Sequence, residues 1–129
     1  MSHIKKIGCL ALLSTGLFVS AQASAADTCD NAYTQTDINK CIAAELAVED
    51  KKLNQSYRDF QRLLSSSEKK QLKAVQLAWI DFRDKACQFS AQSVRGGSIY
   101  PMVLNGCLTT YTQQRRVQLD ADIENIKNK

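Results

Sequence analysis

The pattern of apolar positions after Asn31 is helical for almost its whole length. Ile38, Ile42, Leu46, Leu53, Tyr57, Phe60 and Leu64 follow one another at steps of three, four or seven. That is one stripe of a long amphipathic helix. Thr36, a hydroxyl residue just ahead of the stripe, is its predicted N-cap. Ser65-Ser66-Ser67 interrupts the pattern, and Ser65 with Glu68 three residues on has the form of a capping box that starts a second helix. There the stripe reads Leu72, Val75, Trp79, Phe82, Ala86 and Phe89. The run Arg95-Gly96-Gly97-Ser98-Ile99-Tyr100-Pro101 is the clearest loop, because paired glycines reach backbone angles that other residues resist and proline suits a helix start. A third helix is predicted from about Met102, burying Leu104, Leu108, Tyr111, Leu119, Ile123 and Ile126, with Arg115 on or beside that stripe. Short connections make neighbouring helices antiparallel. The predicted fold is all-α: a small antiparallel three-helix bundle in one domain over residues 26–129, without internal repeats.

Residues 1–25 have the order of a secretory signal peptide. Lys5 and Lys6 form the positive region, residues 7–19 are apolar, and Ala23-Ser24-Ala25 supplies small residues for cleavage after Ala25, with a second acceptable site after Ala23. The apolar run is too short to span a bilayer, and no later stretch is long and apolar enough to do so. The expected location is the periplasm or the outside of the cell, with no membrane insertion.

Of five cysteines, Cys9 falls in this leader, and Cys29, Cys41, Cys87 and Cys107 remain. An even count in an exported domain of modest core size points to disulfides. Cys87 lies ten residues before Gly97 and Cys107 ten residues after it, so an antiparallel hairpin turning at the glycines sets them opposite each other. Cys87 is therefore paired with Cys107, and Cys29 with Cys41, each bridge contributing about 2 to 4 kcal/mol in the chain-entropy account. The cysteine spacings lack the paired close ligands of a zinc site, so no metal and no cofactor are expected.

The chain carries 17 basic and 13 acidic residues, and the leader removes two lysines, which leaves a domain near +2. No basic stripe interleaved with aromatics runs along it, which argues against nucleic acid as a partner. Lys51-Lys52, Lys69-Lys70 and Arg115-Arg116 read as solvated helix faces.

Candidate chemistry is sparse. The only histidine, His3, lies in the leader, so the mature domain has no imidazole for general base, metal or triad work. Paired cysteines leave no thiolate nucleophile. Glu45 with Glu49, and Asp81 with Asp84, stand about one turn apart, but a glycosidase pair faces across a cleft, and Asp81 has Lys85 four residues on as a local partner. Trp79, Phe82, Arg83 and Cys87 form the densest stretch. The aromatic pair reads first as core. Arg83 either covers apolar surface and pairs with Glu45, Glu49 or Asp50 on the first helix, or contacts a partner. Binding is best sought at the glycine loop, held on a stapled scaffold, where Arg95, Gly96, Gly97, Ser98 and Tyr100 combine a cation, a hydroxyl and an aromatic. The competing reading has Gly96 and Gly97 merely turn the chain while Ser98 caps the third helix.

The ordered set of residues resembles a known family across nearly all of the mature chain. It comprises Cys29 near the mature start, Cys41 before the acidic, alanine-rich residues 41–50, Leu53-Asn54 followed by Tyr57, and then Leu72, Gln76, Trp79, Arg83 and Cys87. Gly96-Gly97-Ser98, Cys107, Thr112, Arg115 and Leu119 complete it. It is similar to the LprI-type lysozyme inhibitors. The resemblance implies an all-helical, disulfide-bonded, non-catalytic exported protein, with lysozyme or another peptidoglycan hydrolase as its protein partner. Two other roles fit the same architecture: an immunity-type protein that neutralises a bacterial toxin or amidase, and a structural module of the stressed envelope.

Overall fold

The computed structural model describes residues 29–128, so the leader expected over residues 1–25 and its cleavage site lie outside the described residues. Three helices carry the fold: α1 (Gln35–Arg62), α2 (Ser66–Ser90) and α3 (Tyr100–Lys127). Short 3-10 turns occupy Cys29–Asn31 and Gln92–Val94.

Each helix starts where local chemistry can satisfy its free N–H groups. Thr34, not Thr36, caps α1: Thr34 has extended backbone angles, and its hydroxyl accepts from the Asp37 N–H at 3.1 Å. Thr36 is already inside the first turn. Its own N–H and side chain therefore cannot play the cap's part. The capping box at α2 is present, with Glu68 accepting from the Ser65 N–H at 2.8 Å. α3 begins two residues earlier than the pattern indicated, at Tyr100, because Pro101 sits in the first turn, where its missing N–H costs nothing. Ser98 does not cap it. The capping position is Ile99, without a side-chain bond.

Consecutive helices run antiparallel, which places α1 and α3 side by side and parallel. The cross-helix partners rise together along the two: Gln35 with Met102, Glu49 with Arg116, and Ser56 with Asp120. These two helices make the closest packing in the bundle. The apolar centre is small. Leu53, Leu72 and Leu119 are buried together, with Tyr57, Phe60, Leu64 and Trp79 packed round them.

The α2 stripe differs from the one expected. Val75, Phe82 and Phe89 are 53, 57 and 78% exposed. The inward positions are instead Leu72, Gln76, Trp79, Arg83 and Cys87, whose arc lies about 100° round the helix from the exposed one at 100° per residue. The physical reason is the staple. Cys87 is fully buried against α3, and its bridge to Cys107 fixes which face of α2 turns inward.

Both expected bridges are formed, with Cα separations of 5.7 Å for Cys29–Cys41 and 5.5 Å for Cys87–Cys107. Both lie at one end of the bundle, where α1 begins, α2 ends and α3 begins. Among the described residues, no helix is long and apolar enough to cross a membrane.

Candidate functional site: the stapled end of the bundle

The connection from α2 to α3 is a chain of tight turns and not an open loop. The Ala91 N–H donates to the Cys87 carbonyl at 3.0 Å, Val94 to Ala91 at 3.2 Å, and Arg95 to Gln92 at 3.2 Å. Gly97 then donates to Val94 at 3.0 Å and Tyr100 to Gly97 at 3.1 Å. Satisfied backbone of this kind has few ways to rearrange without losing bonds. Gly96 has φ of +82°, which a residue with a Cβ adopts only under strain. A Cβ on Gly97 would stand 3.2 Å from the Val94 carbonyl oxygen.

α1 braces the loop from the side. Asn39 donates through Nδ2 to the Ser98 carbonyl at 2.9 Å, and Gln35 reaches the Met102 sulfur at 3.8 Å. The Cys87–Cys107 bridge clamps the two stems, and the Cys29–Cys41 bridge fixes the segment leading into α1. Arg95, Gly96, Gly97 and Ser98 are exposed on this frame, and Tyr100 is half-buried at its base. Among the described residues the Arg95 guanidinium has no ion pair. Its charge is free to meet a partner. The structure thus brings five of the six expected binding residues into one short segment.

Arg83 lies apart from them, nearly two turns down α2 from its C-terminal residue, roughly 10 Å at helical rise. Its side chain is only 14% exposed and is spent inside the bundle. It pairs with Asp50 of α1 at 3.3 Å and Asp84 at 2.9 Å, donates to the Thr112 hydroxyl of α3 at 3.1 Å, and lies over the Trp79 ring at 5.2 Å. Of the three carboxylates considered for it, Asp50 is the one engaged. Arg83 therefore clasps all three helices below the loop.

A second polar seam joins α1 to α3. Buried Glu49 meets Lys52 at 2.7 Å and Arg116 at 3.7 Å, and Arg116 continues to Asp120 at 3.0 Å, which accepts from Ser56 at 2.6 Å. Burial pushes the Arg115 guanidinium below its ordinary value, nearby Asp122 opposing the shift, while its Nε donates to Gln76 at 3.0 Å. Glu49 and Asp81, with Asp81 on Lys85 at 2.8 Å, are thus held in local ion pairs. The sulfurs of Cys29 and Cys41 and a carboxylate oxygen of Glu45 lie within 4.8 Å of one another. The two sulfurs are bonded to each other, so they offer no thiolates to a metal.

One exposed aromatic at this end escaped the sequence reading. Tyr33, 88% exposed, stands beside the first bridge and just ahead of the Thr34 cap. Its signal was its place outside every stripe, between a cysteine and a helix start.

The family model described as "Lysozyme inhibitor LprI" matches residues 25–119. An uncharacterized protein of Rhizobium meliloti (strain 1021) is 31% identical to this chain over 113 residues, covering 78% of the chain and 81% of that relative. No solved structure matches the chain.

Proposed function

The chain belongs to the lysozyme inhibitor LprI family, and from that premise we propose that it is an exported, non-catalytic protein that blocks lysozyme or a related peptidoglycan hydrolase. Residues 95–100 make the contact. Arg95 reaches acidic groups of the enzyme, Gly96 and Gly97 allow close backbone approach, and Ser98 and Tyr100 supply a hydroxyl and an aromatic edge. Arg83 supports them from below by holding α2 to α1 and α3.

The observation that carries this reading is the double restraint on the loop. A segment bridged across its stems, bonded turn by turn and braced by Asn39 loses little freedom on binding, and that is where a small interface gains affinity. The bridges themselves fit an oxidising compartment, which supports a periplasmic or secreted location. The non-catalytic reading is supported by the absence of histidine after His3 and by the tying of Glu49, Asp50, Asp81 and Asp84 into ion pairs.

The test is a titration of several lysozyme types with the oxidised domain. Near-stoichiometric loss of bacterial lysis activity for at least one type is expected. Full activity of every type at a large molar excess of the domain would overturn the proposal.

A further inference from the structure

We infer that this protein forms a symmetric homodimer through the outer face of α2, independently of what its loop binds. The inference begins with the residues of α2 that the bundle leaves outside. Val75, Ala78, Phe82, Ala86 and Phe89 lie at steps of three, four, four and three, within an arc of about 80° at 100° per residue. All but Ala86, which is half-buried, are exposed. Scattered exposed apolar residues are ordinary on a protein surface, but a continuous row of them on one helix is not.

The row reads the same from either end. About Phe82, alanines stand four residues away on each side, and larger apolar residues stand seven away. Two copies of α2 crossing antiparallel on a two-fold axis at Phe82 therefore meet in register: Phe82 on Phe82, Ala78 on Ala86, Val75 on Phe89. The alanine layers let the two backbones approach closely, and the smaller valine receives the larger phenylalanine ring. An isologous interface requires this kind of self-complementary patch, and it selects a second copy of the chain over an unrelated partner. The centre is already shaped for it. The Phe82 ring stands edge-on to Tyr111 of α3, with centroids 5.9 Å apart, so it is propped outward on a second ring. Asp81 and Lys85, exposed and paired with each other, form a polar rim.

The size of the patch sets the strength. At roughly 200 Å² per ring side chain, the exposed parts of Phe82 and Phe89 alone amount to about 270 Å². With Val75, the alanines and the flank of Tyr111, the buried area falls at the small end of specific interfaces, and dissociation on the order of micromolar follows. The antiparallel crossing also sends the two stapled ends to opposite poles. Both loops stay accessible, and the dimer is bivalent.

Sedimentation velocity of the oxidised domain across about 1 to 200 μM tests this, with Phe82→Asp and the pair Val75→Lys and Phe89→Glu. The wild type is expected to pass from monomer to dimer in that range. Phe82→Asp should remain monomeric with an unchanged circular-dichroism melt, since the site is exposed. Val75→Lys and Phe89→Glu should each weaken self-association by tenfold or more, and a mixture of the two should regain part of it, because the antiparallel register sets Lys opposite Glu. A wild type that stays monomeric throughout overturns the inference. So does a dimer insensitive to Phe82→Asp, or a mixture that recovers nothing. The experiment does not involve lysozyme, so its failure is separate from any failure of the inhibitor reading.

Discussion

Arg83 of α2 and Asp50 of α1 meet at 3.3 Å across a seam that has little other contact between those helices, while the same guanidinium bonds to Thr112 of α3 and covers Trp79. One side chain thus connects all three helices in a bundle whose apolar centre is small. Asp50 and Asp84 are each nearly half-exposed and would be rehydrated if Arg83 were lost, but Thr112 is fully buried and would not. Arg83→Ala is therefore expected to lower stability by about 2 to 3 kcal/mol, mostly through the orphaned Thr112 hydroxyl and lost stem packing. Arg83→Lys should recover only part, since an ammonium cannot reproduce the guanidinium fork. Urea midpoints read through the single tryptophan, Trp79, give the comparison.

The two bridges close segments of different length, with separations of 12 and 20 residues. In the chain-entropy account each contributes about 3 kcal/mol, the longer exceeding the shorter by about half a kcal/mol. Replacing Cys87 and Cys107 together by alanine should cost more than replacing Cys29 and Cys41, the more so because Cys87 is fully buried and its truncation leaves a void. Denaturant unfolding of the two double variants decides the order.

Gly96 carries the one positive φ among the described residues, at +82°. Its substitution meets open space, so strain alone sets the effect. Gly96→Ala should destabilise by about 1 kcal/mol, visible as a lower melting temperature.

Acid should weaken the start of α2. The Ser65 hydroxyl, and then the Ser65 N–H, hold the Glu68 carboxyl below its ordinary value, with burial opposing slightly. A depressed carboxyl contributes stability that is present above its unfolded value and is lost as pH falls through its folded one. Glu68→Gln should thus be less stable than the wild type at neutral pH, and the gap should close as pH falls through and below the carboxylate range. Thermal melts at a series of pH values measure that gap directly.

Much of this fold was written in local pattern. The capping box at Ser65, the glycine turn and the equal spacing of Cys87 and Cys107 about Gly97 are short-range signals, and each produced the element expected of it. The rotation of α2 was not local. Gln76, Arg83 and Cys87 face inward because their partners Arg115, Asp50, Thr112 and Cys107 lie on other helices, and an apolar count gives such residues no weight. Phe82 and Phe89 were accordingly assigned to the core and are found outside it. Thr34 was passed over for Thr36 because the cap is decided by which hydroxyl reaches the Asp37 N–H. At the candidate site, the loop residues were legible as a cluster. Tyr33 and the brace from Asn39 became visible only once the chain was folded.

The most direct test of the account compares inhibition of lysozyme by the wild type and by the Arg95→Ala, Tyr100→Ala double variant, with their melting temperatures measured alongside. The account predicts tight inhibition by the wild type and a loss of potency of about 100-fold or more in the variant, since an exposed arginine and an aromatic are the expected anchors of so small a contact. The melting temperature should change little, because Arg95 is exposed and Tyr100 only half-buried. Equal potency of the two proteins would contradict the claim that the stapled loop is the inhibitory surface.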